Sequence, residues 1–230
     1  MKNGGKSEMK SDEMKNGRMK YGEAKSGPAD RGAPESALLG ADLQFAVVAG
    51  DLTRFPADAI VNAANAEMIH GGGVAYAIAR AAAGDAAAYT RLTQEAMQKE
   101  YGRPFIRHDE VVVTPPLALA ERGIRLVLHI VGPRCDGRWD KETEAKLTSA
   151  LFAALRRADA EGIRHIAFPA VSAGIYGCPF DAVVRTFAAA VQGYAASFPR
   201  RTLRQVTLVL RTEDDVRRAR QALGWDEQDL

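Results

Sequence analysis

Two glycine-rich segments of the sequence have the composition of phosphate-binding loops. Residues 70–74 (HGGGV) lead into a predicted helix that ends at Gly84, and residues 172–177 (SAGIYG) lie between a predicted strand and a helix that begins near Phe180. Glycines leave backbone N–H groups unshielded, and a helix N-terminus adds the positive end of its dipole. Both segments therefore predict anion sites, and phosphate is the best-suited anion.

Several common catalytic motifs are excluded by what surrounds these glycines. The first segment has no Gly-Lys-Ser/Thr, and Tyr76 occupies the last glycine position of the dinucleotide-binding motif. Ser172 resembles the nucleophile of a serine hydrolase, but none of the four histidines follows it in the chain. The histidines also lack the spacing of a metal site, so we expect neither a metal ion nor a cofactor.

Two polar side chains that follow predicted strands complete the chemistry. Asp51 has a carboxylate that can accept a hydrogen bond from an exocyclic amine such as that of adenine, and the alternative is that it only caps a turn. Asn65 has the donor and acceptor needed to bridge two ribose hydroxyls, and the alternative is a local turn. Together with two phosphate sites, they suggest a ligand that contains ADP.

The elements that position these residues alternate between strands and amphipathic helices. This alternation predicts a three-layer α/β/α sandwich with a sheet of about six strands, whose ligand loops lie at the strand carboxyl ends. Each helix is recognised by its spacing and its caps, such as Asp140 before one helix and Thr212 with Asp215 before the last. For the helix after Gly73 we predict a buried face. The buried face of this helix is predicted to be Val74, Ala77, Ile78, Ala81 and Ala82. The predicted strands are Phe45–Val48, Ala59–Val61, Val111–Thr114, Leu126–Val131, Ile163–Phe168 and Val206–Leu210.

Composition separates a polar tail from one folded domain. Residues 1–36 hold eight basic and six acidic side chains with almost no large apolar ones, so we expect disorder there and a single domain over residues 37–230. The domain carries equal numbers of basic and acidic residues, which argues against nucleic-acid binding, and the lysine-rich tail leaves RNA as an alternative partner. No apolar run is long enough to span a bilayer, so no membrane association is expected. Cys135 and Cys178 form no CxxC motif, and we expect them unpaired in the cytoplasm.

Four segments in order resemble the motifs of macrodomains. They are GDLTRFPADAIVNAAN, HGGGVAYAIARAAAGDA, LHIVGP and IAFPAVSAGIYG, within about residues 43–223, and the similarity is greatest to the stand-alone macrodomains of archaea. The resemblance implies a mixed, mostly parallel sheet and an ADP-ribose site. It implies catalytic roles for Asn65, Gly73 and Tyr176. The ADP-ribose-binding residues that it implies are Asp51, Leu52, Ala64, Asn65, Gly71, Gly72, Gly73, Val74, Ser172, Ala173, Gly174, Ile175, Tyr176 and Arg211.

The resemblance also implies an activity. The sequence departs from the pattern of its relatives at two positions. We expect hydrolysis of mono-ADP-ribose esters on acidic protein side chains, with O-acetyl-ADP-ribose as another candidate ligand. The alternatives are a non-catalytic module that binds ADP-ribose, and a weak ADP-ribose 1″-phosphate phosphatase. Ala75 stands where macrodomains of the MacroD type have a water-positioning aspartate, and Arg211 stands where the archaeal relative stacks a tyrosine on adenine.

Overall fold

A mixed sheet of seven strands forms the centre of the part that the computed structural model describes, residues 36–39 and 42–225. Its order is β1-β2-β7-β6-β3-β5-β4, with the two edge strands antiparallel to their neighbours and the five inner strands parallel. The predicted mixed, mostly parallel sheet is confirmed. The strands are β1 Ser36–Leu39, β2 Leu43–Ala49, β3 Ala59–Ala64, β4 Val112–Thr114, β5 Leu126–Val131, β6 His165–Phe168 and β7 Gln205–Leu210.

Five α-helices cover the two faces of this sheet within the described residues. One apolar cluster packs α3, α4 and α5 against one face, and α1 and α2 cover the other face, so the three-layer sandwich is confirmed. The helices are α1 Gly73–Ala83, α2 Ala86–Tyr101, α3 Lys141–Ala160, α4 Phe180–Ser197 and α5 Glu213–Leu223. None of these helices is long and apolar enough to cross a membrane.

The predicted caps are confirmed more fully than the predicted faces. Asp140 accepts a hydrogen bond from the N–H of Thr143, and Thr212 accepts one from the N–H of Asp215. The predicted face of α1 is partly wrong, because Ala77 is exposed. The residues that α1 buries are Ala75, Ile78, Ala79 and Ala82, so the helix is rotated from the predicted orientation. The sequence patterns did not predict α2.

An antiparallel edge strand at residues 36–39 is the feature that the strand predictions lacked. The predicted disordered tail, residues 1–36, lies outside the described residues except for Ser36, which begins β1. All described residues belong to the compact unit Pro34–Leu230. A single domain over residues 37–230 stays a prediction.

Candidate functional site

Five loops follow the carboxyl ends of five adjacent parallel strands, and they define the candidate site. Along this edge of the sheet the strand order is β2, β7, β6, β3 and β5. Asp51 follows β2, Arg211 follows β7, and the loop of residues 169–179 follows β6. The loop of residues 65–72 follows β3, and that of residues 132–140 follows β5. Every segment proposed from the sequence is therefore at the edge where open α/β sheets bind ligands.

The two glycine-rich loops touch each other through Ile175. A methyl group added to the α-carbon of Gly72 or Gly73 would lie 3.5 or 3.3 Å from the Cδ1 atom of Ile175. Ile175 is 71% exposed, although it is a large apolar residue. The two loops therefore lie next to each other, with Ile175 at their contact, and a ligand-binding crevice between them stays a prediction.

Unpaired backbone amides line the first loop. Helix α1 begins at Gly73 with Gly72 as its N-cap, and no side chain caps it. Within the described residues, the N–H groups of residues 71–75 have no acceptor, and the first paired amide is that of Tyr76, which donates to the carbonyl of Gly72. Gly73 has φ +58°, a conformation that glycine adopts without strain. These donors and the helix dipole favour an anion at this position.

The second loop supplies a matching set of donors. The N–H groups of Ser172, Gly174, Ile175 and Tyr176 have no acceptor among the described residues, whereas that of Ala173 donates to the carbonyl of Ala170. A ligand can therefore use only the other atoms of Ala173. Ser172 has φ +71°, and its hydroxyl is buried without a partner in the described part of the chain. Strained backbone and an unpaired buried hydroxyl are both typical of functional sites.

Asp51 lies at the end of the site that β2 and β7 form. One carboxylate oxygen accepts hydrogen bonds from the N–H of Thr53 at 2.9 Å and from its hydroxyl at 2.8 Å. The other oxygen is 3.8 Å from Nε of Arg54, in a largely exposed pair. The capping role and the binding role are compatible, because one oxygen caps the turn and the other has only this long, exposed contact with Arg54. Within the described residues the N–H of Leu52 has no acceptor, and Arg211 is exposed nearby at the end of β7.

Asn65 stabilises the first loop through its side-chain amide. Its Oδ1 accepts from the N–H of Ile69 at 2.8 Å, and its Nδ2 donates to the carbonyl of Ile69 at 3.1 Å. One N–H and one oxygen lone pair of the amide remain for a ligand. Ala64 precedes Asn65 as the last residue of β3 and is buried, so its side chain contributes packing.

A buried polar network lies on the same face of the sheet as α1 and α2. Nδ2 of Asn62 donates to Nδ1 of His129 at 3.0 Å, and Nε2 of His129 is 2.9 Å from the hydroxyl of Thr114, which is 3.2 Å from that of Tyr89. The His70 ring packs against the rings of Tyr89 and His129, with centroids 5.1 and 5.8 Å apart. His129 is confirmed as a hydrogen-bonded core residue.

Both buried histidines are neutral near pH 7. Burial lowers the pKa of His70 to about 4, despite an opposing hydrogen bond to the backbone of Met68. Burial lowers the pKa of His129 to about 3, and the charge of His70 acts in the same direction. The N–H of His70 also donates to the hydroxyl of Thr90 at 3.2 Å, which holds the residue just before the glycines against α2. The network therefore fixes the start of the first loop.

Gly132, the first residue after β5, allows Ser172 to pack against the backbone. A Cβ atom on Gly132 would overlap the Ser172 hydroxyl and lie 2.7 Å from Cγ1 of Val171. Both of these residues belong to the loop after β6, so Gly132 sets how closely two neighbouring loops approach. The sequence motif LHIVGP contains this glycine, but its role was not predicted, because the contact is between residues 40 positions apart.

We expect Gly132→Ala to destabilise the fold by about 1–3 kcal/mol, which is typical of an overpacked core position. Urea denaturation of the variant and of the wild type measures this loss. Gly174→Ala is the matched control, because a Cβ atom on Gly174 meets nothing within 4 Å. Equal unfolding midpoints for Gly132→Ala and the wild type would contradict the packing argument.

Tyr176 lies at the opposite end of the site from Asp51. The guanidinium carbon of Arg134 is 5.3 Å from the centre of the Tyr176 ring, and the N–H of Cys135 donates to the Tyr176 carbonyl at 2.9 Å. Burial raises the pKa of the Tyr176 phenol, the charge of Arg134 lowers it, and that of Glu67 raises it. Tyr176 therefore joins the loop after β6 to the loop after β5. The predicted site residues include Tyr176 but not Arg134.

Cys135 and Cys178 form a disulfide between these same two loops, with 4.9 Å between their α-carbons. The expectation of unpaired cysteines is wrong. The sequence shows no paired motif because the two residues meet only through the fold, one after β5 and one just before α4. The predicted cytoplasmic location rested partly on unpaired cysteines, and the disulfide removes that part of its support.

Comparison with known proteins identifies the family. The sequence profile described as "Macro domain" matches residues 61–187. The chain belongs to the macrodomain family. An uncharacterised protein of Pyrococcus abyssi is 53% identical over 183 residues, which cover 80% of this chain and 99% of that protein. A protein of Archaeoglobus fulgidus named ADP-ribose glycohydrolase is 50% identical over 169 residues, covering 74% of this macrodomain and 86% of the relative.

Solved macrodomain structures share the fold. A variant of the Oceanobacillus iheyensis macrodomain with ADPR has a TM-score of 0.73 and 25% identity, covering 84% of this chain and 98% of that chain. The Trypanosoma brucei macrodomain in complex with ADP-ribose has a TM-score of 0.63 and 27% identity, covering 78% of this chain and 69% of that chain. These comparisons confirm the family and the fold that the four sequence motifs predicted.

Proposed function

We propose that this macrodomain binds ADP-ribose in the crevice and hydrolyses the ester that joins mono-ADP-ribose to an acidic side chain of a protein. The observation that carries the proposal is the contact between two loops whose amides lack partners among the described residues. A diphosphate offers the acceptors that such amides need. The proposal is supported by the two related structures with bound ADP-ribose and by the glycohydrolase of Archaeoglobus fulgidus.

The order of loops along the sheet supports one direction for the ligand. Adenine would lie at the β2 and β7 end, where the open oxygen of Asp51 and the amide of Leu52 can bind it and the Arg211 guanidinium can stack on it. The diphosphate would lie between the two glycine-rich loops. The distal ribose would then reach Asn65 and Tyr176, where its attached carboxyl group faces the end of the crevice.

The chemistry would depend on positioning more than on a general base. Ala75 provides no acid where macrodomains of the MacroD type have one, so the attacking water would be oriented by the backbone near Gly73 and by a phosphate oxygen of the substrate. Asn65 and Tyr176 would hold the ribose against this water. An activated ester needs less assistance than a phosphomonoester does, and hydrolysis is expected to be slow. O-acetyl-ADP-ribose contains the same kind of ester and is a second candidate substrate.

We expect Asp51→Ala to weaken ADP-ribose binding about 10- to 100-fold, because a hydrogen bond to a charged group is worth about 1.5–3 kcal/mol. Isothermal titration calorimetry with free ADP-ribose measures the change.

A second experiment measures hydrolysis. A peptide with ADP-ribosylated glutamate is incubated with the wild type, Asn65→Ala and Tyr176→Ala, and released ADP-ribose is quantified. Both variants should release it more slowly than the wild type does.

Glu95→Ala is the matched control, because this exposed carboxylate lies on α2 and has no role in the proposed site. It should bind and cleave like the wild type. Wild-type binding without release of ADP-ribose would support the alternative of a non-catalytic binding module, which the alanine at position 75 favours. Absence of ADP-ribose binding by the wild type would overturn the whole proposal.

A further inference from the structure

Arg134 carries a positive charge beside Tyr176, at the end of the proposed site where the carboxyl group of an ester would lie. It follows β5, whereas Asp51 follows β2, and three parallel strands separate the two. Its guanidinium carbon is 5.3 Å from the centre of the Tyr176 ring. The Arg134 side chain is 64% exposed, so it is available to a substrate that enters from solvent.

The backbone around Arg134 is fixed from both sides. Cys135 is joined to Cys178 by the disulfide, and its N–H donates to the Tyr176 carbonyl at 2.9 Å. The carbonyl of the preceding Pro133 is 3.6 Å from the sulfur of Cys178. The loop that carries Arg134 is thus connected covalently and by hydrogen bonding to the loop that carries Tyr176. A loop whose backbone is held in this way loses less conformational entropy when its arginine binds a substrate.

The charge of Arg134 is only weakly compensated. Its Nε is 3.7 Å from the carboxylate of Asp136, whose side chain is 85% exposed. Exposed pairs of this kind contribute little, so a substrate carboxylate can compete with Asp136 for the guanidinium. The stacking on Tyr176 leaves the edge of the guanidinium, which bears its N–H donors, open for such an acceptor.

We propose that Arg134 is a catalytic residue that binds the carboxyl group of the modified aspartate or glutamate and stabilises the negative charge formed there. This inference rests on the proposed ester hydrolysis. In that reaction water supplies its hydroxyl group to the ribose carbon, and the bond from this carbon to the ester oxygen breaks. The bonding electron pair leaves with the carboxylate, and the remaining proton of the water passes to solvent.

The planar guanidinium matches the group that leaves. A carboxylate has two equivalent oxygens, and arginine can donate a hydrogen bond to each of them at once. The ester is neutral before the reaction and the product is an anion, so the interaction strengthens as the bond breaks and therefore accelerates the step. Free ADP-ribose lacks this carboxyl group. Arg134 would therefore contribute to turnover and little to the binding of the product.

The test compares turnover with product binding in Arg134→Gln, Arg134→Lys and Arg134→Ala. With the ADP-ribosylated glutamate peptide, kcat should fall about 10- to 100-fold in the glutamine and alanine variants and less in the lysine variant, which keeps the charge. The affinity for free ADP-ribose should change less than about threefold. Added guanidinium chloride at non-denaturing concentration should restore part of the activity of Arg134→Ala, which a purely structural role would not allow.

Arg138→Gln is the matched control, because it removes a positive charge from the same loop at an exposed position. It should keep wild-type kcat. Wild-type kcat in Arg134→Gln would overturn the role of Arg134 and leave ester hydrolysis standing. An equal loss of ADP-ribose affinity and turnover would also overturn it, because Arg134 would then bind the diphosphate. A wild type that binds ADP-ribose without cleaving the peptide would overturn both the hydrolysis and the role of Arg134.

Discussion

The free energy of unfolding should fall by about 5 kcal/mol as the pH decreases from about 8 to about 4.5. Burial lowers the pKa of His70 to about 4 and that of His129 to about 3, whereas the pKa of a histidine exposed to water is about 6.5. Between these values the unfolded chain binds protons that the folded chain does not. The stabilisation is therefore complete above pH 6.5 and is lost as the pH falls towards the folded values.

The measurement is urea denaturation at a series of pH values, and the informative quantity is the slope of the unfolding free energy against pH. Each buried histidine contributes about 1.4 kcal/mol per pH unit below its unfolded pKa. His165, whose pKa is also lowered by burial, adds to the slope. His70→Asn and His129→Gln each remove one of the two main contributions. A slope in both variants equal to that of the wild type would show that the two histidines are not the cause.

Those histidines illustrate what the sequence can predict and what it cannot. The placement of His129 within an apolar strand was enough to predict a buried, hydrogen-bonded residue. The burial of His70 could not be predicted, because its partners Thr90 and Tyr89 belong to α2, a helix that the sequence patterns did not predict. The helical spacing of α2 is weakened by the many alanines and polar residues on its surface.

The fold was predictable because local signals and the global arrangement agree. The six apolar segments predicted as strands all form strands, and the caps Asp140 and Thr212 precede helices where expected. The order of strands was not predictable from these signals, since it depends on which apolar faces pack together. That order places the loops after β2, β7, β6, β3 and β5 side by side.

The sequence predicted best those parts of the candidate site in which glycines expose the backbone. The loops at residues 70–74 and 172–177 meet, as their composition suggested. Gly132, Arg134 and the cysteine pair were missed, because each acts through a residue far away in the sequence. All three lie at the junction between the loops after β5 and β6. They were missed together because the contact between these two loops was not predicted.

Loss of the disulfide should have the largest effect at this junction. Cys135 and Cys178 are 43 residues apart, and closing a loop of this length stabilises the folded state by about 4 kcal/mol in the chain-entropy treatment. We expect Cys135→Ser/Cys178→Ser to lose about this much stability and to bind ADP-ribose more weakly, because Tyr176 is positioned by the same loops.

The wild type after complete reduction provides the matched comparison for that double variant. Both proteins lack the covalent connection, so their urea midpoints should agree, and both should unfold at lower urea than the oxidised wild type. Adding reductant to the double variant should change nothing, which separates the disulfide from other effects of the reductant. Equal stability of the oxidised and reduced wild type would mean that packing alone holds the two loops together. In that case the hydrogen bond from the Cys135 N–H to the Tyr176 carbonyl and the packing of Ser172 against Gly132 would position Tyr176, since both also connect these loops.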